Sequence, residues 1–268
     1  MSPRHPASPL WLSPWPSMDE DINHCLDRAL KGCASTKRQV FFRADDLGVA
    51  GTLSGVLFET FAKHDAPLCP ALVPAWLTKA RWEALQQQAG GASPLWCWHQ
   101  HGWRHKNHEP QGPRCEFGPA RTDEELLSDM IRGRQRLEQL LGEQFTPVFT
   151  APWNRLSRQA ALLLPQAGFR ALSRDQAQAP EAPTGWPEFR VNVDLHTRSN
   201  PDAQQDRELL LQDLERTLGS GRCGIMLHHQ SMNQEAVRFL DALLAALKAR
   251  SDVRLIHFGH LLADDRAS

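Results

Sequence analysis

Short apolar runs alternate with amphipathic helical stretches from about residue 39 to the C-terminus, and this alternation most restricts the fold. Residues 39–44, 67–74, 95–101, 145–152, 223–227 and 253–258 read as strands, with 169–173 and 189–195 as further candidates. Between them lie helical patterns over 53–61, 78–88, 122–141, 157–166, 202–218 and 234–249. The clearest helix opens on a Thr122–Glu125 capping box and stops at Gly142. Strands that alternate with helices pair in parallel and carry their helices outside. About seven or eight such units in roughly 230 residues favour a barrel over an open sheet. No internal repeat and no second domain is evident. Residues 1–36 read as a Pro-rich irregular arm followed by a short helix in which Ile22, Leu26 and Leu30 recur at spacing four; residues 37–268 form the barrel domain.

Composition excludes several classes. A formal net charge of -1 gives no reason to expect nucleic acid or an anionic membrane as partner. The longest apolar runs are strand-sized, so no membrane span is expected. The first 18 residues lack the basic start, apolar stretch and small-residue cleavage site of a secretion signal. The six cysteines contain no C-x-x-C pair, and in a chain of this size they read as reduced thiols of a cytoplasmic protein. Tyrosine is absent, so an aromatic surface that grips a ligand must be built from Trp or Phe.

Polar residues gather where the expected strands end: Asp45-Asp46, His99/His101/His105, Trp153-Asn154, Arg174-Asp175, Asp194 with His196, and His228-His229. In parallel sheets and barrels that end carries the chemistry. His99 and His101 are two apart on a strand and so share a face; Gly102 can then turn the chain to return His105 toward the same point. Imidazoles with a carboxylate make an open metal site that leaves room for water and substrate. Asp45 and Asp46 are adjacent at a strand end, so one can ligate while the other faces the attacking water.

With these residues in place, the chain resembles the polysaccharide deacetylase superfamily, the NodB-homology or carbohydrate esterase type, over roughly residues 40–258. The matching stretches are Arg43-Ala44-Asp45-Asp46, His101-Gly102-Trp103-Arg104-His105, Thr150-Ala151-Pro152-Trp153 and Ile225-Met226-Leu227-His228. The resemblance implies a distorted (β/α)7-type barrel, TIM-like, with its site at the C-terminal ends of the strands. It makes Asp45 the general base, Asp46, His101 and His105 metal ligands, the Trp153 N–H an oxyanion donor, and His228 the general acid with Asp194 to orient it. His99 is an extra histidine beside the usual pair, either a ligand or a support for one. Thr150 stands where the family motif has Arg, with Arg43 and Arg174 as candidate substitutes.

The implied activity is metal-dependent hydrolysis of an acetyl or other acyl group from an N-acylated sugar or oligosaccharide. Zinc is the expected metal, nickel or cobalt the alternatives. Trp103, Asn154 and Arg174 are the expected substrate contacts, and the loops at 109–120 and 179–187 would select the substrate. A metallohydrolase acting on a non-sugar amide, or a metal-retaining carbohydrate-binding pseudoenzyme, are the alternative readings. Oligomeric state is not legible in the sequence.

Overall fold

The computed structural model describes residues 5–31, 37–175 and 185–267; most of the expected loop over 179–187, and Cys33, lie outside them. In chain order the elements are α1 (Met18–Leu30), β1 (Arg38–Leu47), α2 (Thr52–Lys63), β2 (Cys69–Leu72), α3 (Lys79–Gln88), β3 (Trp98–His101), α4 (Asp123–Leu141) and β4 (Phe145–Thr150). There follow α5 (Arg158–Leu163), β5 (Ala171–Asp175), β6 (Glu188–Val191), β7 (Val193–Asp194), α6 (Ala203–Gly219), β8 (Arg222–Leu227), α7 (Gln234–Lys248), β9 (Val253–Ile256) and α8 (Phe258–Ala267). The expected α/β alternation is present, and every strand pair with a described register is parallel. Among the described residues no helix is long and apolar enough to cross a membrane.

Three expectations are corrected. The strand expected over 189–195 is two strands interrupted at Asn192, whose side chain accepts the Gly224 N–H while its own N–H donates to the Gly224 carbonyl. An amide side chain that competes for ladder groups ends regular pairing at that point. The strand expected over 253–258 ends at Ile256, and Phe258 begins α8. The strand expected from residue 95 starts only at Trp98.

The chain divides into two compact units, described separately. The first comprises the described residues of 1–44 with 51–68 and 192–257. Its strands run β9-β1-β8-β7, and Ala44 of β1 pairs with Leu227 at the end of β8. The N-terminal arm belongs to this unit, and its Leu10, Trp11 and Trp15 side chains are buried despite its irregular backbone. Trp11 is 1% exposed and donates its indole N–H to the Leu195 carbonyl at 2.7 Å. Trp15 stacks on Phe239 of α7, and the Arg207 guanidinium of α6 holds the Ser13 carbonyl at 2.6 Å. Aromatic burial of this kind contributes about 1.5–3 kcal/mol per ring.

The second unit comprises residues 45–50, 69–191 and the described part of 258–268. Its strands run β2-β3-β4-β5-β6. The capping box forms as expected: Thr122 Oγ1 accepts the Glu125 N–H, and the Glu125 carboxylate accepts the Thr122 N–H. Phe117, Leu126, Met130, Phe149 and Leu172 pack one apolar cluster of this unit. Along β3 the side chains alternate. Trp98 meets Trp82 of α3 edge-on at 5.0 Å, and Gln100 donates to the Met130 carbonyl of α4, so His99 and His101 take the opposite face. Gly133 of α4 lies against Gln100, where any Cβ would overlap the amide. That close approach lets Gln100 reach back to the Gly102 carbonyl at 2.8 Å and pin the turn that leaves β3.

Candidate metal centre

The turn after β3 is built around one buried carboxylate. Glu116 is fully buried and accepts three backbone N–H groups, from Trp103 (3.2 Å), Arg104 (2.6 Å) and His105 (3.2 Å). Burial pushes its pKa up, and these backbone donors pull it back down. Gly102 makes this possible: its φ is +57°, and a Cβ there would overlap both the Glu116 carboxylate and the Pro152 ring. Glu116 was missed in the sequence because it sits in a Gly/Pro-rich segment that reads as an exposed loop. The only signal was an acid flanked by Cys115 and Phe117, two residue types that favour burial.

The fixed turn presents His105 next to His101. His101 Nδ1–H donates to the Thr150 carbonyl at 3.2 Å, which leaves Nε2 with its lone pair. That Nε2 lies 3.2 Å from Asp46 Oδ1, and His105 Nε2 lies 3.1 Å from the same oxygen. Among the described residues Asp46, His101 and His105 form the one group whose donor atoms all lie within 4.8 Å of one another. Burial and the neighbouring His101 push the His105 pKa down to about 4, against the pull of Asp46 and Asp45, so its ring is neutral near pH 7. Two imidazole nitrogens and a carboxylate oxygen, with the proton of His101 committed away from the cluster, fit a divalent cation with an open side.

Backbone strain is concentrated here. Five non-glycine residues among those described have positive φ, and four of them are Asp46 (62°), His105 (55°), Trp153 (53°) and Asn154 (59°). Such conformations cost about 1–3 kcal/mol each and persist where surrounding structure fixes them, commonly at functional sites. His105 sits between Trp153 and Trp76, ring centroids 4.3 and 6.0 Å away. The Trp153 N–H donates to no group among the described residues, whereas the Asn154 N–H is spent on Ala151 O.

Several expected site residues are placed differently. His99 is not in the ligand cluster: its Nε2 accepts from the Thr150 hydroxyl at 2.8 Å, and its ring packs edge-on against Phe258. The sequence could not separate it from His101, since both share a strand face. Trp103 is partly buried and packs against the apolar cluster. Arg174 is fully buried with Nε–H on Glu188, which takes it away from any surface that substrate reaches. Asp45 is 2% exposed at the end of β1. Asp194 and His228 belong to the other unit. The Asp194 carboxylate keeps to its own turn, accepting from the His196 and Thr197 N–H groups at 2.9 Å and from the Thr197 hydroxyl. Among the described residues it makes no hydrogen bond to the His228 ring, which it was expected to orient.

No protein-family model and no curated sequence matches the chain. Solved structures do match its fold. A protein of Mycobacterium smegmatis described as a polysaccharide deacetylase aligns with TM-score 0.60 at 15% identity, covering 98% of this chain and 94% of that one. The Xyl-CE4 domain of a multidomain xylanase from the hindgut metagenome of Trinervitermes trinervoides aligns with TM-score 0.56 at 11% identity, covering 86% and 92%. A pseudoenzyme of the CE4 family from Bacillus anthracis aligns with TM-score 0.55 at 14% identity, covering 84% and 66%. The fold is therefore that of the polysaccharide deacetylases, an α/β fold of the distorted (β/α) barrel type.

Proposed function

We propose that this chain, built on the polysaccharide deacetylase fold, is a metal-dependent deacetylase of N-acylated sugars. The observation that carries the reading is the convergence of Asp46 Oδ1, His101 Nε2 and His105 Nε2, with His101 oriented by the Thr150 carbonyl. Asp46, His101 and His105 would hold the ion, zinc by preference of the donor set, with nickel and cobalt compatible. A bound divalent ion supplies polarisation of the acyl carbonyl and acidification of a water.

The chain's own groups do the rest. Asp45 takes the proton from the attacking water as the general base. The Trp153 N–H donates to the oxygen of the former carbonyl as negative charge develops on it, a role supported by the left-handed backbone at that residue; one such donor contributes about 3 kcal/mol. His228 gives a proton to the departing amine, a role suited to an imidazole, which can both hold and release a proton. Trp153 and Asn154 are the proposed contacts to the sugar.

A specific observation favours a second reading. Thr150 stands at the position of the family's motif arginine, and its hydroxyl is committed to His99. A metal-retaining carbohydrate-binding pseudoenzyme would show this, and one solved structure of the same fold is described as a pseudoenzyme. Acetate release from N-acetylglucosamine oligomers by metal-loaded wild type separates the two. Release that is lost in Asp45→Asn with metal retained supports the deacetylase. Sugar binding without release supports the pseudoenzyme.

A further inference from the structure

We infer that His196 is the positioning residue of His228: its ring nitrogen Nδ1 takes the backbone N–H of His228 and fixes the direction in which the His228 side chain leaves the strand. The inference rests on the proposed role of His228 as the acid.

The geometry is that of a sheet continued by a side chain. The ladder between β7 and β8 has its last backbone bond where Leu195 N–H donates to the Met226 carbonyl at 3.1 Å. β8 then ends at Leu227. The next N–H, that of His228, would have no strand partner, and the His196 imidazole supplies one at 3.0 Å. On its other side the His228 carbonyl accepts from Ser231 N–H at 3.0 Å, closing a 3-10 turn over His229–Ser231. Both backbone groups of His228 are thus held, and its Cα–Cβ bond has one direction. Without the imidazole, a part-buried strand-end N–H would lose its acceptor and the residue could rotate.

His196 is itself held from several sides. It is 1% exposed. Asp194 accepts its N–H at 2.9 Å, and Trp11 of the N-terminal arm fixes the preceding carbonyl, Leu195 O, at 2.7 Å. Because Nδ1 accepts, the ring proton sits on Nε2, which is buried and has no hydrogen-bond partner among the described residues. The titratable groups that act on the ring are Asp194, His228 and His229. A side chain present only for packing would carry no such orphaned polar atom; an apolar residue of similar size would pack there at less cost. The ring is retained as a neutral acceptor, and Asp194 serves the acid through His196 rather than by touching it.

The test uses full-length, metal-loaded protein and three variants. His196→Asn keeps an acceptor oxygen near the place of Nδ1. His196→Leu and His196→Gln keep bulk but lose the acceptor at that place. One readout is acetate release, split into kcat and KM across pH. The other is the ring titration of His228 followed by NMR on histidine-labelled protein, which needs no turnover. Expected is a fall in kcat of about 10–100-fold in the Leu and Gln variants, part of what a general acid supplies, with KM little changed and the alkaline limb of the pH profile displaced. The Asn variant recovers most of the kcat, and the His228 titration moves in Leu and Gln and returns in Asn. If the Leu variant does not fold, the Gln and Asn pair decides. Identical His228 titration in wild type, Gln and Asn overturns the inference. If wild type releases no acetate, the deacetylase reading fails by itself, and the NMR titrations still decide whether His196 positions His228.

Discussion

Two histidine clusters stand at strand ends of this chain, one in each unit, and they use their carboxylates in opposite ways. At the end of β3, Asp46 aims a side-chain oxygen at two imidazole nitrogens, while a second acid, Glu116, holds the backbone that carries them. At the end of β8, Asp194 turns its oxygens to backbone N–H groups, and it is an imidazole, His196, that holds the backbone of the other histidine. In the first cluster the rings are the proposed ligands and a carboxylate is the scaffold. In the second a ring is the scaffold. The same residue type is a proposed donor for a cation in one place and continues a sheet ladder in the other. What separates them is whether a carboxylate oxygen or a backbone N–H lies opposite the ring nitrogen.

The largest effects should come from breaking the first cluster. Asp46→Ala and His101→Ala are expected to reduce bound metal from near-stoichiometric to a small fraction, measured by elemental analysis of the purified proteins. Retention of full metal content in both would end the assignment of these ligands. Asp45→Asn should keep its metal and lower kcat by about 10²–10⁴-fold, the range of a general base. Loss of metal in that variant would make Asp45 a ligand instead.

A smaller effect is expected from the scaffold acid. Glu116→Gln keeps the shape but removes the charge and one of the two acceptor oxygens, and should lower metal affinity by about 10–100-fold, read by competition with a chelating dye. Gly102→Ala attacks the same scaffold from the backbone side. A left-handed alanine costs about 1–2 kcal/mol before the overlap with Glu116 and Pro152 is counted, so thermal unfolding should shift downward by at least that equivalent. An unchanged midpoint would show that the turn relaxes without cost.

The smallest effect is on pH stability. The His105 pKa is lowered from 6.5 unfolded to about 4 in the fold. The unfolded chain therefore binds the extra proton first, and the metal-free protein should lose stability as pH falls from about 6.5 toward 4. His105→Gln should flatten that part of the curve in urea titrations across pH. An equally steep loss in the variant would place the proton uptake elsewhere.

Much of this was legible in residues and spacings. The strand–helix alternation and the Thr122–Glu125 cap follow from periodicity and local spacing, and they depend on residues within a few positions of one another. The Asp46, His101, His105 set came from the resemblance of its motifs to a known family, and the fold brings those three together. The role of His99 was not legible, because strand alternation gives it the same face as His101, and only Thr150, about fifty residues away, takes its nitrogen. The burial of the Pro-rich arm was hidden for the same reason: Trp11 finds its acceptor at Leu195, on the far side of the sequence.

By itself, then, the sequence determined the class of fold and the local chemistry of its motifs, since side-chain periodicity and turn geometry are short-range properties of the backbone. Only the tertiary structure decided which polar groups became scaffold. Glu116, Asp194 and His196 are ordinary residues along the chain, and their roles arise because burial leaves each facing a backbone N–H that has no other acceptor.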